Sequence, residues 1–355
     1  MNINLDSPAV FKQYDSQDML ACLHEMPELC QRAWRMAMNF NLPEDYRKIN
    51  KVVISGMGGS AIGGELVSSL VATEARIPIF ISRDYSLPAF VDSETLFIAS
   101  SYSGMTEETL SAFEQSLNTK AKKLAITTGG KLKDMAKAAK VPVFTIDHVA
   151  PPRAALGYSF MPLMALLHNL GFFKGMSSDV PAMIQTLEKL VKELSETIPV
   201  NANPAKQLAL KLHGNIAVIY GAEVLSDVAR RWKTQINENS KAWAFYELLP
   251  ELNHNAVVGY QFPAELTSKL FVVFLHCLSL HPRTLVRYQI TSELLQQHHI
   301  SHEVVDSQGT DMLSQMMSLV YFGDWVSYYL SALYQVDPTP VKVIDYLKKR
   351  LSETR

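Results

Sequence analysis

The sequence has few of the features that settle a protein's class at sight. It carries only three cysteines, Cys22, Cys30 and Cys277, odd in number and at no metal-ligand spacing. That argues against a disulfide framework or a zinc site and suits core packing in a reducing compartment. There is no long run of one charge, and the formal net charge is −2. A nucleic-acid surface would need clustered Lys and Arg. The opening Met1-Asn2-Ile3-Asn4-Leu5-Asp6 lacks the basic and apolar regions of a signal peptide. The one long apolar stretch, 154–173, is interrupted by Gly157, Pro162, His168 and Asn169. Its apolar length barely reaches a bilayer span, so it reads as a buried helix. These absences lead us to expect a soluble, cytoplasmic protein with no nucleic-acid or membrane partner.

What is present is a chain of 355 residues, long for one hydrophobic core and comfortable for two. Residues 1–50 read as a helical arm, with Met19, Leu20, Leu23, Met26 and Leu29 near helical spacing. Five short apolar runs follow, at 52–54, 77–81, 95–99, 123–127 and 141–145. Helix-length segments at 63–73, 107–117 and 131–139 separate most of them. That alternation predicts a parallel sheet covered on both faces. A helical stretch at 180–197 and the punctuation Pro199-Val200-Asn201-Ala202-Asn203-Pro204 come next. The pattern then restarts, with strands at 216–221, 269–275 and 302–305, a helix from Ala222 and a long helix over 312–334. We therefore expect an α/β protein of two tandem units, 1–198 with the arm and 199–355.

Two loops carry chemistry. Ser55-Gly56-Met57-Gly58-Gly59-Ser60-Ala61 follows the first strand and opens a helix. Gly56-x-Gly58-x-x-Ala61 fits a dinucleotide fingerprint, with Asp84 as the acidic residue at the end of the next strand. A Gly-rich turn of this kind equally serves packing, and the Walker lysine is missing. The second loop, Ser100-Ser101-Tyr102-Ser103-Gly104-Met105-Thr106, sets hydroxyls at the end of the third strand. Thr106 is expected to cap a helix beginning at Glu107. Unsatisfied helix amides and several hydroxyls can hold a phosphate without a fixed positive charge. Two such loops at adjacent strand ends favour a phosphorylated sugar over a dinucleotide.

The two loops resemble those of the sugar isomerase (SIS) domain, a flavodoxin-like fold that binds phosphosugars. Three further segments are similar to the bifunctional phosphoglucose/phosphomannose isomerase family: Pro151-Pro152-Arg153-Ala154-Ala155-Leu156-Gly157-Tyr158, Asn237-Glu238-Asn239-Ser240-Lys241 and Pro250-Glu251-Leu252-Asn253-His254-Asn255. The tail Thr339-Pro340-Val341-Lys342-Val343-Ile344-Asp345-Tyr346-Leu347-Lys348 resembles the family's closing helix. The similarity spans about residues 50–351 in the family's motif order. It implies two tandem flavodoxin-like SIS domains and isomerisation of glucose 6-phosphate, and of mannose 6-phosphate, to fructose 6-phosphate. It also implies phosphate contacts at Gly59, Ser60, Ser101, Ser103 and Thr106. Met105 departs from the family, where asparagine is common in this loop.

Aldose–ketose isomerisation needs a base near C1 and C2, a group to open the ring and positive charge near the enediolate oxygen. Glu238, in a polar cluster at a helix end, is the candidate base, because the negative end of a helix favours the protonated carboxyl. Alone it fits a solvated helix end as well; the resemblance makes it the base. His254 is the candidate for ring opening, and the resemblance assigns it to the neighbouring subunit of a homodimer. Arg153, isolated in an apolar region, is expected to meet an anion, which the resemblance makes the enediolate. Lys348 resembles the family's C-terminal active-site lysine. Thr339 is a candidate hydroxyl for accepting both aldoses.

His298, His299 and His302 lack a zinc motif's companions, and the Glu and His chemistry calls for no metal or cofactor. Two other readings stand beside the isomerase. One is a phosphosugar-binding regulator without catalysis, which would share the phosphate loops but not need Glu238, His254 and Arg153 together. The other is an NAD-dependent dehydrogenase resting on the Gly-rich loop.

Overall fold

The computed structural model describes residues 3–354. Helices α1 (Pro8–Tyr14) and α2 (Met19–Met38) precede the first sheet. Its strands are β1 (Lys51–Ser55), β2 (Ile79–Ser82), β3 (Thr95–Ser100), β4 (Lys122–Thr127) and β5 (Val143–Thr145). Between them lie α3 (Gly58–Leu70), α4 (Glu107–Leu117) and α5 (Gly130–Ala138). All pairings are parallel, in the order β2-β1-β3-β4-β5, which is the flavodoxin-like order. β1 and β3 are buried along almost every residue, as their unbroken apolar runs require of strands covered on both faces.

Three helices follow, α6 (Leu156–Asn169), α7 (Met176–Leu194) and α8 (Pro204–Leu212). The second sheet then uses β6 (Ile216–Ala222), α9 (Ser226–Asn239), β7 (Ala244–Leu249), α10 (Ala264–Thr267), β8 (Leu270–His276), α11 (Pro282–Gln297) and β9 (Ser301–Asp306). Its order, β7-β6-β8-β9, repeats that of the first sheet one strand short. Helices α12 (Met312–Leu333) and α13 (Lys342–Glu353) complete the fold. The two flavodoxin-like units expected from the sequence are present. The apolar stretch at 154–173 is the buried α6, packed on α2 and α3. Among the described residues, no helix is long and apolar enough to cross a membrane.

Several local expectations are corrected. α3 begins at Gly58 rather than Gly63, so the Gly-rich segment is itself the first turn of the helix. α9 begins at Ser226 rather than at Ala222, because a 3-10 turn at Glu223–Leu225 intervenes. Glu223 takes φ +53° there, a left-handed conformation that an α-helix does not accept. Strand β7 and helix α8 were not foreseen. β7 is an edge strand whose exposed and buried positions mix, and α8 follows its cap Asn203 directly, beginning at the last residue of the 199–204 punctuation.

One apolar core runs through both units. α12 packs on α7, α8 and α9, and Tyr321 Oη donates to the Leu23 carbonyl at 2.6 Å, joining α12 to α2. α3 meets α9 through charge as well. Buried Glu65 lies 2.5 Å from Arg83 Nη2 and 2.8 Å from Arg230 Nη1, while the Ser69 hydroxyl bonds Asp227. Burial raises the Glu65 pKa, helped by Asp227 and opposed by the two arginines. The helix that opens at the Gly-rich loop is thus tied to the helix that carries Glu238 in its last turn.

Candidate active site

The expected phosphate residues lie together at the C-terminal ends of β1 and β3. These strands are neighbours, so the loops leaving them meet. Gly56 is required by that approach, since a Cβ there would stand 2.9 Å from the Ser100 carbonyl oxygen. The first glycine of the dinucleotide-like fingerprint is therefore accounted for by strand packing. Tyr102 N donates to Ser60 Oγ at 3.1 Å, bridging the loops.

Thr106 stands at the N-cap of α4, yet its side chain caps no amide. Its hydroxyl pairs with Ser101 Oγ at 2.9 Å instead, correcting the expected capping bond. Met57, at the N-cap of α3, offers no side-chain acceptor either. Both helices thus present uncapped first turns to the same space, where their dipoles favour an anion. Ser60 and Ser101 are buried. Ser103 is exposed and accepts from Met105 N at 3.2 Å, while the Met105 sulfur accepts from Lys131 N at 3.4 Å.

Arg153 lies in the 3-10 turn Pro152–Ala154, against the Gly-rich loop. A Cβ on Gly59 would come within 2.8 Å of the Pro152 carbonyl oxygen and 3.4 Å of Arg153 N. Only glycine lets the loop and the arginine turn approach this closely. Tyr102 adds a second brace, donating to the His148 carbonyl at 2.6 Å and accepting from Ala150 N at 2.9 Å.

The Arg153 side chain is 5 % exposed. Its Nε donates to Asn239 Oδ1 at 2.6 Å, and Nη2 donates to the carbonyls of Thr339, at 2.8 Å, and Pro338. Nη1 lies 3.5 Å from Glu238 Oε2. The anion that this isolated arginine finds within its own chain is thus Glu238. Burial pulls the guanidinium's pKa down, and the Glu238 carboxylate opposes that shift. Behind Arg153, Arg231 Nη2 donates to the Arg153 carbonyl at 3.1 Å and to Asp324 Oδ2 at 2.7 Å.

Glu238 is the penultimate residue of α9 and partly exposed. It lines a cleft of about 620 Å³ with Asn237, Lys241, Asp337 and the start of α13. A separate cavity of about 350 Å³ between α2 and α7 contains none of the expected residues.

The structure does not bring His254 or Lys348 to this pair. His254 ends the 3-10 turn Glu251–His254 and is exposed. The asparagines on either side of it bond other residues. Asn253 bonds Thr291 Oγ1 at 2.8 Å, and Asn255 bonds Glu251 Oε1 at 2.9 Å. Lys348 lies on α13, which has no buried residue. Thr339 is buried, and its hydroxyl has no hydrogen-bond partner among the described residues. The histidines at 298–302 are structural in their contacts: His302 bonds Ser292 Oγ at 2.7 Å, and His298 packs edge-on against Tyr260. Among the described residues, no three His, Cys, Asp or Glu side chains gather as a metal site.

Sequence reasoning named the Asn237–Lys241 segment for its glutamate and missed the two residues beside it. Asn239 orients Arg153. Lys241 Nζ donates to the Glu238 carbonyl at 2.5 Å and the Pro338 carbonyl at 3.1 Å. Burial, and then the Arg153 charge, bring the Lys241 pKa down to about 8.

Comparison with known proteins adds to this geometry. Residues 201–351 match the family model described as bacterial phospho-glucose isomerase C-terminal SIS domain. The chain is 44 % identical to a bifunctional phosphoglucose/phosphomannose isomerase of Caldicellulosiruptor bescii, over 95 % of this chain and all of that one. It is 34 % identical to the protein of the same description from Aquifex aeolicus, over 88 % of this chain and 94 % of that one. In fold it is similar to a hypothetical protein of Thermus thermophilus, with a TM-score of 0.72 at 17 % identity, covering 97 % of this chain and 93 % of that one.

Proposed function

This chain belongs to the bifunctional phosphoglucose/phosphomannose isomerase family, and from that premise we propose that it interconverts glucose 6-phosphate and mannose 6-phosphate with fructose 6-phosphate through an enediolate. The phosphate sits at the uncapped N-termini of α3 and α4, against Gly59, Ser60, Ser101, Ser103 and Thr106. Helix amides and hydroxyls hold it there without a lysine. The sugar carbons extend toward the cleft at the end of α9. Glu238 removes the proton shared between C1 and C2. The Arg153 guanidinium, fixed by Asn239 and two backbone carbonyls, stabilises the oxyanion with little reorganisation.

Ring opening falls to His254 of the partner subunit, which protonates the ring oxygen, and Lys348 adds positive charge near the reacting end. Exposure of both residues within one chain supports a homodimer in which each subunit completes the other's site. The exposed apolar side chains of α13, Val343, Tyr346 and Leu347, support the same assembly. The scheme uses acid–base groups and fixed charge and calls for no cofactor. Free thiols at all three cysteines suit a cytoplasmic setting. The division into units 1–198 and 199–355 belongs to the same proposal, and the family match starting at residue 201 supports it.

The observation that carries the reading is the Arg153–Glu238 pair at the cleft, with the arginine's own turn pressed against the phosphate loop. A coupled assay with glucose 6-phosphate and mannose 6-phosphate tests it. Turnover of both is expected, with loss of both in Glu238→Gln. Binding of fructose 6-phosphate without turnover would leave a sensor in place of an enzyme.

A further inference from the structure

Lys241 sits in the turn between α9 and β7 with φ +55°, where a residue with a side chain is uncommon. From that turn its ammonium reaches back to two carbonyl oxygens. One belongs to Glu238 itself and the other to Pro338. The Pro338 oxygen also accepts from Arg153 Nη2, so two cations converge on one backbone acceptor. Pro338 is buried and lies in the strap of residues 334–341 that joins α12 to α13. That strap forms the wall of the cleft facing Glu238, through Val336, Asp337 and Pro340.

The Glu238 carbonyl is one of the last in α9, which have no acceptor role within the helix. A lysine at a helix C-terminus satisfies such a group and complements the dipole. Here the same lysine also holds the strap. Without it, the Glu238 carbonyl would lose this partner and Arg153 would be the one cation left on the strap, while Asn239 and Ser240 still hold the end of α9 to Ser327. We propose that Lys241 is a positioning residue for the isomerisation, clamping the strap to the end of α9 so that the Glu238 carboxylate stays aligned with Arg153 across the cleft. This inference rests on Glu238 being the base.

The clamp has a pH dependence with a definite sign. Three charged groups face Lys241: Glu238 on α9, Asp337 on the strap and Arg153 on its 3-10 turn. Burial and the Arg153 charge outweigh the two carboxylates, and the ammonium is held only up to about pH 8. Below that value the bonds to the two carbonyls are charge-assisted, roughly twice as strong as neutral ones. As pH rises through it, that part is lost. The kcat profile should therefore carry an alkaline limb in that region.

The test measures kcat and KM on fructose 6-phosphate against pH for wild type, Lys241→Met and Lys241→Arg, with Glu238→Gln alongside. In Lys241→Met, kcat should fall about ten- to a hundredfold while KM stays within about threefold, because base alignment is lost and phosphate binding is not. Its alkaline limb should disappear. Lys241→Arg should recover most of kcat and move the limb upward, since a guanidinium does not titrate there. Should Lys241→Met fail to fold, the arginine variant still decides: an alkaline limb unmoved from wild type overturns the proposal. So does a methionine variant with unchanged kcat, or one that raises KM alone. If Glu238→Gln turns over at the wild-type rate, the base assignment fails instead. If it is inactive while both Lys241 variants match wild type, only the clamp fails.

Discussion

Arg153 Nη1 and Glu238 Oε2 stand 3.5 Å apart, and among the described residues this is the only ion pair either side chain makes. The two residues come from different units. Arg153 follows the first sheet against the Gly-rich loop, and Glu238 lies in the last turn of α9, the helix between the first two strands of the second sheet. In the proposed scheme the cation beside Glu238 also faces the charge that develops on substrate. In that scheme the pair joins the phosphate end of the site to the end that moves a proton.

The phosphate end should be separable from the chemistry. Ser101 and Thr106 share a hydroxyl–hydroxyl bond, which leaves one proton free for a phosphate oxygen and frees the second only when that bond opens. A hydrogen bond to a charged group contributes about 1.5–3 kcal/mol. Ser101→Ala and Thr106→Ala should each raise KM about ten- to a hundredfold with kcat little changed. Steady-state kinetics on fructose 6-phosphate check this.

Gly59 should behave differently, although it belongs to the same loop. The Cβ of Gly59→Ala would press on the Pro152 carbonyl at 2.8 Å, and backbone cannot yield as a flexible side chain would. The turn carrying Arg153 should shift, lowering kcat as well as raising KM. A loss of stability of about 1–3 kcal/mol is expected from such overpacking, measurable by urea unfolding.

Behind the site, Arg231 and Asp324 form a buried pair that also holds the Arg153 carbonyl. Asp324→Ala strands the arginine charge without its partner. The expected cost is about 3–5 kcal/mol, seen as a lower urea midpoint, with reduced kcat in the protein that remains folded.

The subunit sharing of the site can be tested by mixing. Glu238→Gln and His254→Ala homodimers should each be inactive. Co-refolded heterodimers would restore one of two sites in half the dimers, so about a quarter of wild-type activity should return. No recovery would place Glu238 and His254 in the same subunit's site.

Much of this was legible in the sequence where the signal is local. The run Val52-Val53-Ile54 and its successors announced buried parallel strands, and the loop from Ser100 to Thr106 lies where the sequence set it. The misses share a different origin. Thr106 was expected to cap α4, and only the fold shows Ser101 Oγ competing for its hydroxyl. Arg153 was assigned an anion, but its bonds to Asn239, Pro338 and Thr339 depend on three distant segments meeting. Lys241 carries no sequence mark of its left-handed turn, since its backbone is set by the way α9 hands over to β7.

Proton exchange at C1 of fructose 6-phosphate tests the central claim most directly. The sugar phosphate is incubated with enzyme in deuterium oxide, and the C1 proton signals are followed by NMR over many turnovers. An enediolate formed by Glu238 predicts steady exchange with solvent in wild type and loss of that exchange, by about a hundredfold or more, in Glu238→Gln. Exchange at the wild-type rate in Glu238→Gln would contradict it.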